Sequence, residues 1–145
     1  MDEIDRVILN ELIRNGRASF RELGELVRLS PHAVAPRVRR LVEQGVITGF
    51  SARIDDDAIG RGLDALIDVR LQSSADPDEF EQTASGLPSV RELDFLTGRF
   101  DYQLRAACRD ADDLDHTVRA LRKAGAAVTE TRIVMRSRTF PREVR

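Results

Sequence analysis

The sequence predicts an α+β chain, an N-terminal winged helix-turn-helix followed by a ferredoxin-like βαββαβ domain. Three observations predict it. Apolar residues recur three and four apart through the first third, and they alternate with polar residues along much of the second half. Between the two lies a stretch rich in aspartate and glycine. The expected divisions are therefore residues 1–54, a hinge over 55–62 and a second domain over 63–145.

Ile4, Val7, Ile8 and Leu12 share one helical stripe, so residues 4–15 read as an amphipathic helix stopped by Gly16. Ser19 followed three residues later by Glu22 is a capping box, in which hydroxyl and carboxylate satisfy free amides at a helix start. The second helix then runs from Phe20 to about Val27. Ser30 is placed as the N-cap of a third helix, with Pro31 at its first position, where a missing N–H costs nothing. Val34, Val38 and Leu41 give this helix one buried stripe, and Gly45 ends it. Two short helices joined tightly at Arg28 and Leu29, the second with a basic outer face, have the spacing of a helix-turn-helix. Pro36, beyond the first turn, should kink the third helix or make its start irregular. Residues 46–54 read as an extended segment broken at Gly49, which would be the wing.

In the second half Ile67, Val69 and Leu71 alternate with Asp68, Arg70 and Gln72, the period of a half-buried strand. Asp76, Pro77 and Glu79 mark a helix start, and Phe80, Ala84 and Leu87 its inner face, before Pro88. Residues 90–97 form a second strand, 98–101 a tight turn, and Tyr102, Leu104, Ala106 and Cys108 one face of a third strand. Leu114, Val118 and Leu121 build a second helix closed at Gly125, and residues 128–140 a final strand. Helices on one face leave the other sheet face open, so the unit is expected to bury it against a second copy.

Charge distribution points to a partner. The 145 residues carry a net charge of −2, yet from Arg28 to Arg53 there are Arg28, Arg37, Arg39, Arg40 and Arg53 against Glu43 alone. A major groove admits one helix, whose leading residues reach base edges while flanking cations neutralise phosphates. Ser30, His32 and Ala33 are at that leading end. Arg37, Arg39, Arg40 and Arg53, with Ser19 at the start of the second helix, complete the expected DNA-binding set. Double-stranded DNA is thus the expected partner.

Other classes fall away. No apolar run approaches the ~20 residues that span a bilayer, and no signal segment opens the chain, so a cytoplasmic protein without membrane association is expected. Cys108 is alone and His32 and His116 lie far apart, which provides no disulfide and no metal-ligand spacing. Cys108 reads as a packed thiol and His116 as a helix-surface residue. No nucleophile, base and orienter stand in a recognisable order, so neither catalytic residues nor a cofactor are expected.

Asp5 with Ile8-Leu9, Gly16-Arg17-Ala18-Ser19, Glu22-Leu23, Leu29-Ser30, Arg37-Val38 with Leu41, and Gly45-Val46-Ile47 together resemble the Lrp/AsnC family of feast/famine regulators. The resemblance extends to the second half, where residues 97–102 are similar to the family's effector loop and Thr129 and Thr131 to its last strand. Ala127 departs from the pattern, since relatives often have glycine there. The resemblance implies a transcription regulator whose second domain senses an amino acid, with Gly98, Arg99, Phe100, Asp101, Tyr102, Thr129 and Thr131 as the effector-binding candidates. It also implies a homodimer, or a tetramer or octamer built from dimers. Read from the residues alone, Gly98 and Asp101 also suit a plain hairpin turn. Two other functions share this architecture: a tetrapyrrole-pathway decarboxylase and an architectural DNA-binding protein without an effector.

Overall fold

The computed structural model describes residues 1–140 and 142–145. The chain divides into two units, Met1–Arg53 with Arg138–Arg145, and Ile54–Ser137.

In the first unit, α1 (Glu3–Arg14), α2 (Phe20–Val27) and α3 (Pro31–Glu43) each start at a side-chain cap. Asp2 and Asp5 form a capping box on α1, Ser19 and Glu22 one on α2, and the Ser30 hydroxyl accepts the Ala33 amide on α3. Ile8, Leu23, Val34 and Val38 meet in the core, with Leu12, Val27 and Ile47 packed around them. The turn between α2 and α3 depends on one glycine. A Cβ on Gly24 would stand 2.5 Å from the Leu29 carbonyl oxygen, so only a bare Cα lets the chain fold back there. Arg28 completes the turn in the left-handed region, at φ 57.

Pro36 does not interrupt α3, which is helical from Pro31 to Glu43. Pro36 lacks one amide bond and crowds the His32 carbonyl, a local cost that a helix capped by Ser30 and packed along Val34, Val38 and Leu41 tolerates. Residues 46–54, expected as the wing, form no strand among the described residues. The amides of Val46 and Ile47 donate to the Leu41 carbonyl, and among the described residues no strand pairs with the segment. Arg138–Arg145 group with the first unit by their contacts. There Asn10 brackets Val144, donating to its carbonyl at 3.2 Å and accepting its amide at 2.7 Å, while Arg14 reaches Glu143.

The second unit contains β1 (Leu63–Leu71), α4 (Pro77–Ser85), β2 (Val90–Phe95), β3 (Tyr102–Cys108), α5 (Ala111–Lys123) and β4 (Ala126–Ile133). Its antiparallel sheet has the order β2-β3-β1-β4, the ferredoxin-like arrangement. Ile67, Val69, Leu104 and Ala106 face Phe80, Ala84 and Leu121 of the helices. The last strand is shorter than the alternation suggested, because β1 runs out of partners. Ile133 pairs with Ala65, and the Val134 amide makes the next bond, to Asp64. Gly125 permits the turn into β4, where a Cβ would stand 2.6 Å from that of Ala75. Ala127 lies at a register shift against Arg70 and Leu71, an irregularity that a non-glycine residue accommodates.

Residues 55–62 contain a turn. The amides of Gly60 and Arg61 close a turn on Asp57 and Asp56, and the Arg61 guanidinium bonds the Ala107 carbonyl and Asp113. Gly62 is confined by the Asp57 carboxylate, which a Cβ would strike.

Candidate nucleic-acid interface and effector turn

Helical geometry sorts the residues of α3 into three stripes, since successive residues turn by roughly 100°. Val34, Val38 and Leu41 form the buried one. His32, Pro36, Arg39 and Glu43, all exposed, form a second on the side away from it. Ala33, Arg37 and Arg40 form a third stripe on the flank. Ser30 is exposed at the helix start, and its hydroxyl, which accepts one amide, keeps its own proton for another partner. Ser19 is committed to its capping box, with its oxygen donating to Glu22 at 2.8 Å. The Ser19 amide bond, and then its hydroxyl bond, hold the exposed Glu22 carboxyl below its ordinary value.

Arg37 and Arg40 have acquired a duty that the charge pattern did not suggest. Arg37 Nη1 donates to Asp2 at 2.6 Å and to Asp5 at 2.9 Å, and Arg40 Nη2 donates to Asp5 at 3.0 Å. The Asp5 side chain is 1% exposed. Burial pushes its carboxyl up, but the bonds from the Asp2 amide and the Arg37 guanidinium outweigh that and hold it below the usual carboxylate range. Asp2 is lowered as well, chiefly by Arg37. Arg39 and Arg53 are exposed. The signal for Asp5 was present in the sequence: an acid at the spacing of Ile8, Leu9 and Leu12 lies on the buried stripe of α1.

The effector candidates separate into groups. Gly98, at φ 113, and Arg99 are exposed in the β2–β3 turn, and the Arg99 guanidinium lies 5.3 Å from the centre of the Phe100 ring. Asp101 ties the turn to β1: its carboxylate accepts the Leu71 amide at 2.8 Å, and its amide donates to the Val69 carbonyl. Tyr102 is a core residue, 1% exposed, against Phe80 and Phe95. Its hydroxyl donates to Glu81 at 2.7 Å. Burial, then Glu81, pushes its pKa up to about 12. Tyr102, one of the effector candidates, is thus turned to the helices with Leu104 by the alternation of β3. Thr129 accepts from Arg122, and Thr131 is exposed. Register places Tyr102, Val69 and Thr129 in one row across β3, β1 and β4. The turn and the threonines are thus two strand spacings apart, about 10 Å.

The open face of the sheet is charged. Asp64 and Asp68 of β1, Gln103 and Arg105 of β3, and Glu130 and Arg132 of β4 share it by register. Arg105 pairs with Asp64 at 2.6 Å, while Asp68 accepts from Gln103 at 2.8 Å and from Arg132. Elsewhere His116 bonds the Asp112 carbonyl on the surface of α5, and Cys108 is buried and free.

Two family models match this chain. An AsnC-type helix-turn-helix domain covers residues 1–42, and an Lrp/AsnC ligand-binding domain covers residues 64–143. The leucine-responsive regulatory protein of Escherichia coli is 37% identical over 142 residues, spanning 93% of this chain and 85% of its own. An HTH-type transcriptional regulator of Pyrococcus furiosus is 38% identical over 128 residues, 85% and 81% of the two chains. Among solved structures, a transcriptional regulator of Neisseria meningitidis in complex with L-methionine superposes with a TM-score of 0.91 at 28% identity, covering 100% of this chain and 96% of that one. With both halves matched in order, the chain belongs to the Lrp/AsnC family of transcription regulators.

Proposed function

We propose that this protein is a sequence-specific, homo-oligomeric DNA-binding regulator that works in the cytoplasm, responds to a free amino acid and catalyses no reaction. The observation that carries the DNA half is the outer stripe of α3. His32 and Arg39 stand clear of the core on a helix whose leading end offers Ser30 and Ala33. In this reading Ser30, His32 and Ala33 meet base edges in the major groove, while Arg39, Arg53 and the Ser19 end of α2 lie along phosphates.

The effector half rests on the ligand-binding family model and on the Neisseria relative solved with L-methionine. Gly98 and Arg99 offer loop amides and a cation to a carboxylate, and the second Asp101 oxygen is available to an ammonium. Thr129 and Thr131 lie two strands away, so a pocket that uses both groups is completed by a second copy. The sheet face with no helices over it supports a self-associating unit, which would cover it.

The test is a titration with duplex DNA from upstream of the protein's own gene. Replacing Arg39 and Arg40 by alanine should weaken binding at least tenfold at fixed salt; unchanged affinity would overturn the role given to α3.

A further inference from the structure

Resting on the reading above, we propose that Asp5 is the positioning residue of the reading helix, holding Arg37 and Arg40 as an internal counter-charge so that Arg37 neutralises no phosphate. The unit's cationic contacts to DNA then come from the outer stripe and the loops, through Arg39, Arg28 and Arg53, and not from the whole arginine cluster.

Four observations carry the proposal. The carboxylate is fully enclosed, and every bond it accepts is accounted for: Arg37 and Arg40 on Oδ1, and Arg40 with the Asp2 amide on Oδ2. Asp2 supplies a second acceptor to Arg37, so the cluster contains two acids and two bases and has no net charge. The bonds cross from α1 to the flank stripe of α3, the one direction in which α3 could roll about its buried stripe. A buried carboxylate is also a poor choice for filling a core, because an apolar side chain of similar volume is commonly as stabilising or more so. Its value is geometric. Two guanidinium contacts fix the rotation of α3 and hence where His32 and Arg39 point.

Arg37 is only a quarter exposed, at 25%, which keeps it close to its acids, whereas nothing among the described residues pairs with Arg39. Two cations that looked equivalent in the sequence thus have different access to a phosphate.

The experiment measures affinity of the full chain for its upstream duplex, and for an unrelated duplex, across a salt series. Each phosphate contact contributes roughly 0.9 to the slope of log K against log salt. Arg39→Gln should flatten the slope by about one contact per protomer engaged. Arg37→Gln should leave the slope where it is. Asp5→Asn should release Arg40 and steepen the slope by about one contact, while narrowing the gap between the two duplexes. A flattened slope in Arg37→Gln, matching that of Arg39→Gln, would overturn the proposal, and this variant decides the matter even if Asp5→Asn fails to fold. A wild-type protein that binds neither duplex would instead sink the DNA-binding reading itself, and the proposal with it.

Discussion

Each unit of this protein contains a nearly buried aspartate that serves two side-chain donors, and the two are used differently. Asp5 accepts from Arg37 and Arg40 across two helices of the first unit and is enclosed by that unit's own packing. Asp68 accepts from Gln103 and Arg132 across three strands and lies on a sheet face with no layer of its own unit over it. The chemistry is the same, but the first joins two helices and the second three strands. A carboxylate sealed between helices fixes the aim of a rigid element, whereas one on an open face depends on what comes to cover that face.

The comparison is easiest to break at the helix-turn. Gly24→Ala places a Cβ against the Leu29 carbonyl, and overpacking of that kind costs on the order of 2–3 kcal/mol. Urea denaturation should show the first unit melting early, with DNA binding lost. Gly98→Ala meets no atom within 4 Å and should cost about 1 kcal/mol, from its positive φ alone. Equal losses for the two variants would mean that the close approach at Gly24 is not a constraint.

Removing the two aspartates sharpens the contrast. Asp5→Ala should lower stability by about 2 kcal/mol, because two guanidiniums lose a desolvated partner, and the loss should not depend on protein concentration. Asp68→Ala should behave otherwise: its cost should grow as the protein is concentrated through its association range, since binding of a second copy is linked to the folded state. Denaturation at two widely separated concentrations separates the cases. A concentration-independent effect for Asp68 would remove the case for a covered sheet face.

Proton linkage gives the smallest effects. Asp2 and Asp5 have lowered values in the fold, and Asp113, held chiefly by Arg109, is lowered to about 2. A carboxyl that is lowered on folding stabilises above its ordinary value of 3.8, and that contribution disappears as the pH falls through the folded value. Melting temperature should therefore drop as the pH is taken from about 5 towards 2. Tyr102 runs the other way: its raised value stabilises below the ordinary 10.0 and is lost as the pH rises towards about 12. It is the only tyrosine, so tyrosinate absorbance reports it directly. Titration near its ordinary value would contradict the burial of the ring against Phe80 and Phe95.

The sequence made local features readable and left pairings between distant segments hidden. Capping residues Ser19, Ser30 and Asp76 foretold three helix starts, because caps act within four residues. Alternation from Tyr102 to Cys108 already turned Tyr102 inward. The pairing of Arg37 and Arg40 with Asp5 joins residues 32 and 35 apart, which no local pattern reports. An acid on the apolar stripe of α1 was the one available hint. The effector site was the least legible, since its candidates lie on different strands and the partner surface is not encoded at any single position.

The central claim is that DNA affinity in the first unit is linked to amino-acid binding in the second. Affinity for the upstream duplex should be measured alone and with each of the twenty amino acids, at fixed salt and protein concentration. The account predicts that one or a few of them change it by roughly 5- to 150-fold, and that the duplex changes affinity for the same amino acid by the same factor. A duplex affinity identical under all twenty would contradict it.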